Sequence, residues 1–97
     1  MAITQQQFKC REIIARHDPY GLIIHGAPWD EYNSEADHIY NTLETLFECG
    51  NLSFSKIEYH VYSEFGYDGY IAGFLSSKRE VAIIIELALL YEVMTLE

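Results

Sequence analysis

The sequence predicts an all-α fold: one small four-helix domain spanning residues 1–97, with a long ordered loop after the first helix. Three observations predict it. Capping boxes at Thr4-x-x-Gln7, Ser55-x-x-Glu58 and Ser77-x-x-Glu80 mark three helix starts. Apolar residues recur at helical spacing behind each of them and again after residue 34. Both prolines fall between the first two periodic segments, where they would break a helix.

The first helix starts at Thr4, with Ile3 and Phe8 placed as a hydrophobic staple. Cys10, Ile13, Ile14 and His17 follow the i, i+3, i+4, i+7 pattern and share one face. Pro19 disfavours helix at Asp18, so the helix ends there. Asp18-Pro19-Tyr20-Gly21 carries the residues of a type I turn. Leu22-Ile23-Ile24 reads as a short extended segment packing inward, and Gly26-Ala27-Pro28 turns the chain again. A connection this long is expected to be ordered by its own aromatics, Tyr20, Trp29 and Tyr32.

The second helix is capped by Asn33 or Ser34, with Glu35 and Asp37 in its first turn where the helix dipole favours acids. Ala36, Ile39, Tyr40, Leu43, Leu46 and Phe47 form its apolar face, and Gly50 stops it. The third helix is expected over 55–65, with Ile57, Val61 and Phe65 inward. Alternation at Ile57, Tyr59 and Val61 leaves a competing α+β reading, with a short strand near residues 56–62. Gly66-Tyr67-Asp68-Gly69-Tyr70 is a turn, and 71–75 is an apolar link of unassigned state. The last helix opens at Ser77 and is apolar almost all round. Val81, Ile84, Ile85, Ala88 and Leu89 lie on one side, and Ile83, Leu90, Val93 and Met94 on the other, beside Glu86.

Composition limits the function. The net charge is −9, and between residues 17 and 77 one basic residue, Lys56, stands against ten acids. Such a chain repels nucleic acid and anionic membranes and attracts basic surfaces. The apolar run 81–94 contains Glu86 and Glu92 and is shorter than the roughly 18 residues of a membrane span. The first residues have no basic start followed by an apolar run, so the expectation is a cytoplasmic protein without a secretory signal. Cys10 and Cys49 have no paired spacing and read as two reduced, buried thiols.

The stretch Arg16-His17-Asp18-Pro19-Tyr20-Gly21, followed by Pro28-Trp29-Asp30-Glu31-Tyr32-Asn33-Ser34-Glu35, resembles the YugE-like family of small bacterial domains of unknown function. The resemblance covers about residues 8–66. It implies a short helical domain with an Asp-Pro-x-Gly turn after the first helix and an Asp-Glu-Tyr before the second. It implies no activity, cofactor or catalytic residue.

The residues themselves offer three functions. Glu35-x-x-His38 has the spacing of di-iron carboxylate proteins, but a single pair facing away from the core lacks the other ligands, so no metal or cofactor is expected. His17, Asp18, His25, Asp30 and Glu31 could serve a metal-dependent enzyme, though no recognisable nucleophile or phosphate loop accompanies them. His17 is expected to hydrogen-bond at the helix end, and Asp18 to bond backbone in its own turn. The leading reading is a non-enzymatic module binding a basic protein, as an immunity protein or antitoxin would. Its contact residues are Asp30, Glu31 and Tyr32 with the stripe Asp37, Asn41, Glu44 and Glu48, because tyrosines beside carboxylates combine anchoring with electrostatic steering. The second reading is a homodimeric structural subunit joined through Ile83, Leu90 and Met94.

Overall fold

The computed structural model describes residues 3–66 and 73–93, with side chains of the last helix from Arg79 onward, and among these residues four helices form in the order expected. They are α1 (Gln5–His17), α2 (Asn33–Glu48), α3 (Phe54–Val61) and α4 (Gly73–Leu90), with a π-helical turn, Tyr62–Gly66, continuing α3. The all-α reading holds; no strand forms among the described residues, so the α+β alternative near 56–62 falls. No helix among them is long and apolar enough to cross a membrane.

Helix α1 starts as its sequence dictates: the Thr4 hydroxyl accepts from the Gln7 N–H at 3.0 Å. It ends on Asp18 in the left-handed region, φ 50°, whose N–H donates to the Ile14 carbonyl. Helix α2 ends in a Schellman motif. Gly50, at φ 74°, donates to the Phe47 carbonyl and Asn51 to that of Leu46.

Several starts and faces differ from expectation. Helix α2 is entered from Tyr32 without a side-chain cap, so neither Asn33 nor Ser34 caps it. Helix α3 begins one residue earlier than expected, and Ser53 rather than Ser55 is its cap, accepting from the Lys56 N–H. Helix α4 begins at Gly73, which puts Ser77 inside the helix instead of at its start. Residues 67–70 of the expected turn lie outside the described residues. Residues 22–24 are not extended. They are folded into hydrogen-bonded turns, and only Ile23 packs against the core.

The core lies where the helices meet. Cys10, Ile13 and Ile14 of α1 join Ala36, Ile39 and Leu43 of α2, Ile57 and Val61 of α3, and Ile83, Ile84, Leu87 and Ala88 of α4. Helix α4 packs against both α1 and α3, and α1 against α2. That position fixes which faces of the nearly all-apolar α4 are buried. Ile83 is fully buried, while Val81, Ile85 and Leu89 face outward at 43%, 37% and 58% exposure. The expected dimer contact is therefore wrong at Ile83, and Leu90 is half-buried against the core; Met94 lies outside the described residues. Of the two cysteines, Cys10 is buried and Cys49 is exposed, correcting the expectation of two buried thiols. Burial, followed by the charges of Glu44 and Asp37, pushes the Cys10 thiol up to about 12.

Candidate functional site

The loop joining α1 to α2 is organised by two residues at its ends. Asp18 leaves α1 in the left-handed conformation that asparagine and aspartate tolerate better than other residues carrying a side chain. Its carboxylate accepts from the N–H groups of Ile23 at 3.1 Å and Ile24 at 3.0 Å, and from the Tyr32 hydroxyl at 2.7 Å. The Tyr32 oxygen accepts in turn from the N–H of Tyr20 at 3.0 Å and of Leu22 at 3.3 Å. Gly21, at φ 72°, closes the turn by donating to the Asp18 carbonyl. Arg79 of α4 donates to the same carbonyl at 2.6 Å. The Asp-Pro-x-Gly and Asp-Glu-Tyr segments thus meet in space, fifteen residues of chain folded around one carboxylate.

The electrostatics follow from that geometry. Burial would push the Asp18 carboxyl up, but the Tyr32 hydroxyl and the Ile24 and Ile23 amides outweigh it and hold it below the usual carboxylate range. Burial and the adjacent Asp18 carboxylate push the Tyr32 phenol up to about 12, so it stays protonated and donates. Asp18 bonds backbone as expected. Its three accepted hydrogen bonds make it a structural clasp.

With its backbone held from inside, the loop turns other side chains to solvent. Trp29 is 59% exposed and Ile24 74% exposed; Leu22 is exposed beside them in sequence, as are Asp30 and Glu31. Tyr20 is half-exposed, with its ring edge-on to Phe65 and its hydroxyl donating to the Phe65 carbonyl at 3.2 Å. Of the three expected aromatic anchors, Tyr32 is the buried one and Trp29 is a surface residue. Tyr32 therefore cannot be a partner contact.

The acidic stripe of α2 is also broken. Asp37 is held by Arg11 in a two-pronged pair at 2.8 and 2.7 Å. That hydrogen bond, against some desolvation, draws its carboxyl below the usual range. Glu44 accepts from the Tyr91 hydroxyl at 3.0 Å. Asn41 and Glu48 remain exposed. The stripe supplies two solvent-facing members, not four.

The histidines and their neighbouring acids do not converge. His17 Nε2 lies 2.5 Å from Glu86, which also takes both terminal nitrogens of Arg16, so His17 does bond at its helix end as expected. His25 Nδ1 donates to the Gly21 carbonyl at 2.9 Å, and the exposed His38 meets Glu64 at 2.7 Å. Among the described residues no group of three His, Cys, Asp or Glu could hold a metal ion. Arg11, Arg79 and Glu86 were not marked by any local signal. Arg11 and Glu86 pair with other helices and Arg79 with the turn after α1, so no i, i+4 pairing announces them.

Comparison with protein-family models, with characterised proteins and with solved structures returned no match.

Proposed function

We propose that this chain is a non-enzymatic binding module that meets a basic protein through the α1–α2 loop, in the manner of an immunity protein or antitoxin. The observation that carries the reading is the exposure of Trp29 next to Asp30 and Glu31, on a loop whose backbone is clasped from inside by Asp18 and Tyr32. Tryptophan is enriched among the residues that dominate interface energetics. A pre-ordered loop loses less conformational freedom on binding than a flexible one. The acids beside it favour a positively charged partner and hasten its encounter, within a chain of net charge −9. The resemblance to the YugE-like family belongs to this proposal for the fold around the loop and adds no activity to it.

The test is capture of basic proteins from the native host on immobilised protein, followed by binding measurements with the purified partner. Trp29→Ala is expected to weaken binding at least tenfold. Asp30→Asn with Glu31→Gln is expected to slow association and flatten its salt dependence. A partner that binds both variants as wild type removes the loop from the interface.

A further inference from the structure

We infer that the charge on Glu80 sets how firmly the α1–α2 loop is held, tight with the carboxyl neutral and looser with it ionised. The inference does not depend on what the loop binds. Two ties reach the loop from the helices behind it. Arg79 of α4 donates to the Asp18 carbonyl at 2.6 Å. The Tyr20 hydroxyl donates to the Phe65 carbonyl of the π-helical turn at 3.2 Å, and the rings of Tyr20 and Tyr32 both lie edge-on to that of Phe65. Helix α4 and the π-helical turn pack against each other, so a single contact carries both ties. Glu80 stands in that contact, next to Arg79 in the chain. It is buried, and one of its carboxylate oxygens has no hydrogen-bond partner. Its charge reaches Tyr62 of the π-helical turn: burial first, then Glu80 and Glu58, push that phenol up.

An ionised carboxylate buried without a partner is costly, and letting water in relieves the cost. Ionisation therefore favours local opening of the contact, which draws Arg79 and Phe65 away from the loop. Burial raises the Glu80 pKa, so the loosening sets in as pH rises through the folded value. The other charged groups on the elements packed against α4 are engaged elsewhere or exposed. Glu86 takes Arg16 and His17 of α1, Asp37 takes Arg11, and His38 takes Glu64 of the π-helical turn. Lys9, Glu12, Lys56 and Glu58 are exposed, and the His60 ring lies against Tyr59. Asp18 is held below the usual carboxylate range, and its protonation would loosen the loop in acid, the opposite sign.

Residue-resolved hydrogen exchange at about pH 4.5 and 7.5, corrected for intrinsic rates, tests this. It reads the loop through the amides of Tyr20, Leu22, Ile23 and Ile24, which donate to Tyr32 and Asp18. Their protection is expected to lie below that of Ile39 and Leu43 in α2, and to fall about threefold or more from the lower to the higher pH. Glu80→Gln should abolish the fall while keeping every histidine, and Glu80→Met serves in its place if that variant does not fold. Arg79→Gln should shrink the fall in the loop and leave any pH dependence of Ile39 and Leu43 as in wild type. Loop protection equal at both pH values in wild type, or equal to that of Ile39 and Leu43, overturns the inference. So does a fall that survives removal of the Glu80 charge. A fall unchanged by Arg79→Gln overturns transmission through Arg79.

Discussion

The Tyr32 hydroxyl donates to the Asp18 carboxylate at 2.7 Å while accepting from the amides of Tyr20 and Leu22. One phenol oxygen therefore serves both ends of the loop. Tyr32→Phe removes the donor to Asp18 and the acceptor of two partly buried amides, and is expected to cost about 1–3 kcal/mol. Asp18→Ala is expected to cost about 2–4 kcal/mol, because a charged acceptor and three bonds are lost together. The two effects are coupled. Urea denaturation of both single variants and the double variant should return an interaction energy of roughly 0.5–3 kcal/mol, whereas additive losses would show that the clasp is not shared.

Gly21 sits at φ 72°, and a Cβ there would lie 3.5 Å from the Arg79 guanidinium, an ordinary contact. Space is available and the backbone conformation is not. Gly21→Ala should therefore cost about 1–2 kcal/mol, with Gly21→Val at or above that, since a β-branched side chain tolerates positive φ least. A melting midpoint unchanged by Gly21→Ala would show that the turn can relax.

Glu92 holds the position after α4 where glycine is usual. Its φ is 59°, its N–H donates to the Leu89 carbonyl, and Val93 donates to that of Ala88. Glu92→Gly is expected to stabilise the chain by about 0.5–1 kcal/mol, the opposite sign to the usual effect of introducing glycine. Thermal melting checks the sign.

The carboxyls divide by pH. Arg11 draws Asp37 down, Arg16 and then His17 draw Glu86 down, and Asp18 is lowered by its donors despite burial. These three release their proton more readily folded than unfolded. The stability they contribute is complete above about pH 5 and is lost as pH falls through their depressed values. Glu80 runs the other way. It is 2% exposed, one carboxylate oxygen has no hydrogen-bond partner, and burial raises its pKa. Its cost is absent below the unfolded value of about 4 and grows as pH rises through the folded one. Glu80→Gln should raise the melting midpoint at pH 7 and leave it nearly unchanged at pH 4; an equal change at both would show that charge is not the cause.

What was legible in the sequence was local. Thr4 capped α1, Gly50 ended α2 and Asp18 bonded its own turn because those devices act within a few residues. Ser55 was mistaken for the cap of α3 because Ser53 carries the same hydroxyl two residues earlier. The faces of α4 could not be read, since an almost uniformly apolar helix has no polar side to orient it. No Lys or Arg lies within the helix of Asp37, so nothing local announces Arg11, which reaches it from α1 across a separation of 26 residues. The same non-locality hid the loss of two members from the acidic stripe. In the loop, three consecutive apolar residues suggest a short extended segment packing inward, whereas the Asp18 clasp turns Ile24 out and leaves Ile23 in.

The Arg16–Glu86 pair spans 70 residues. On a ribosome adding about 5–20 residues per second, α1 is made roughly 4–14 s before its partner on α4 exists. Throughout that interval the Cys10–Ile13–Ile14 face can be covered by α2, which follows directly, but not by α4. Of the four helices α1 is thus made first and fully covered last. Until α4 follows, part of its apolar face is open to chaperones, and slowing translation after α2 should lengthen that exposure.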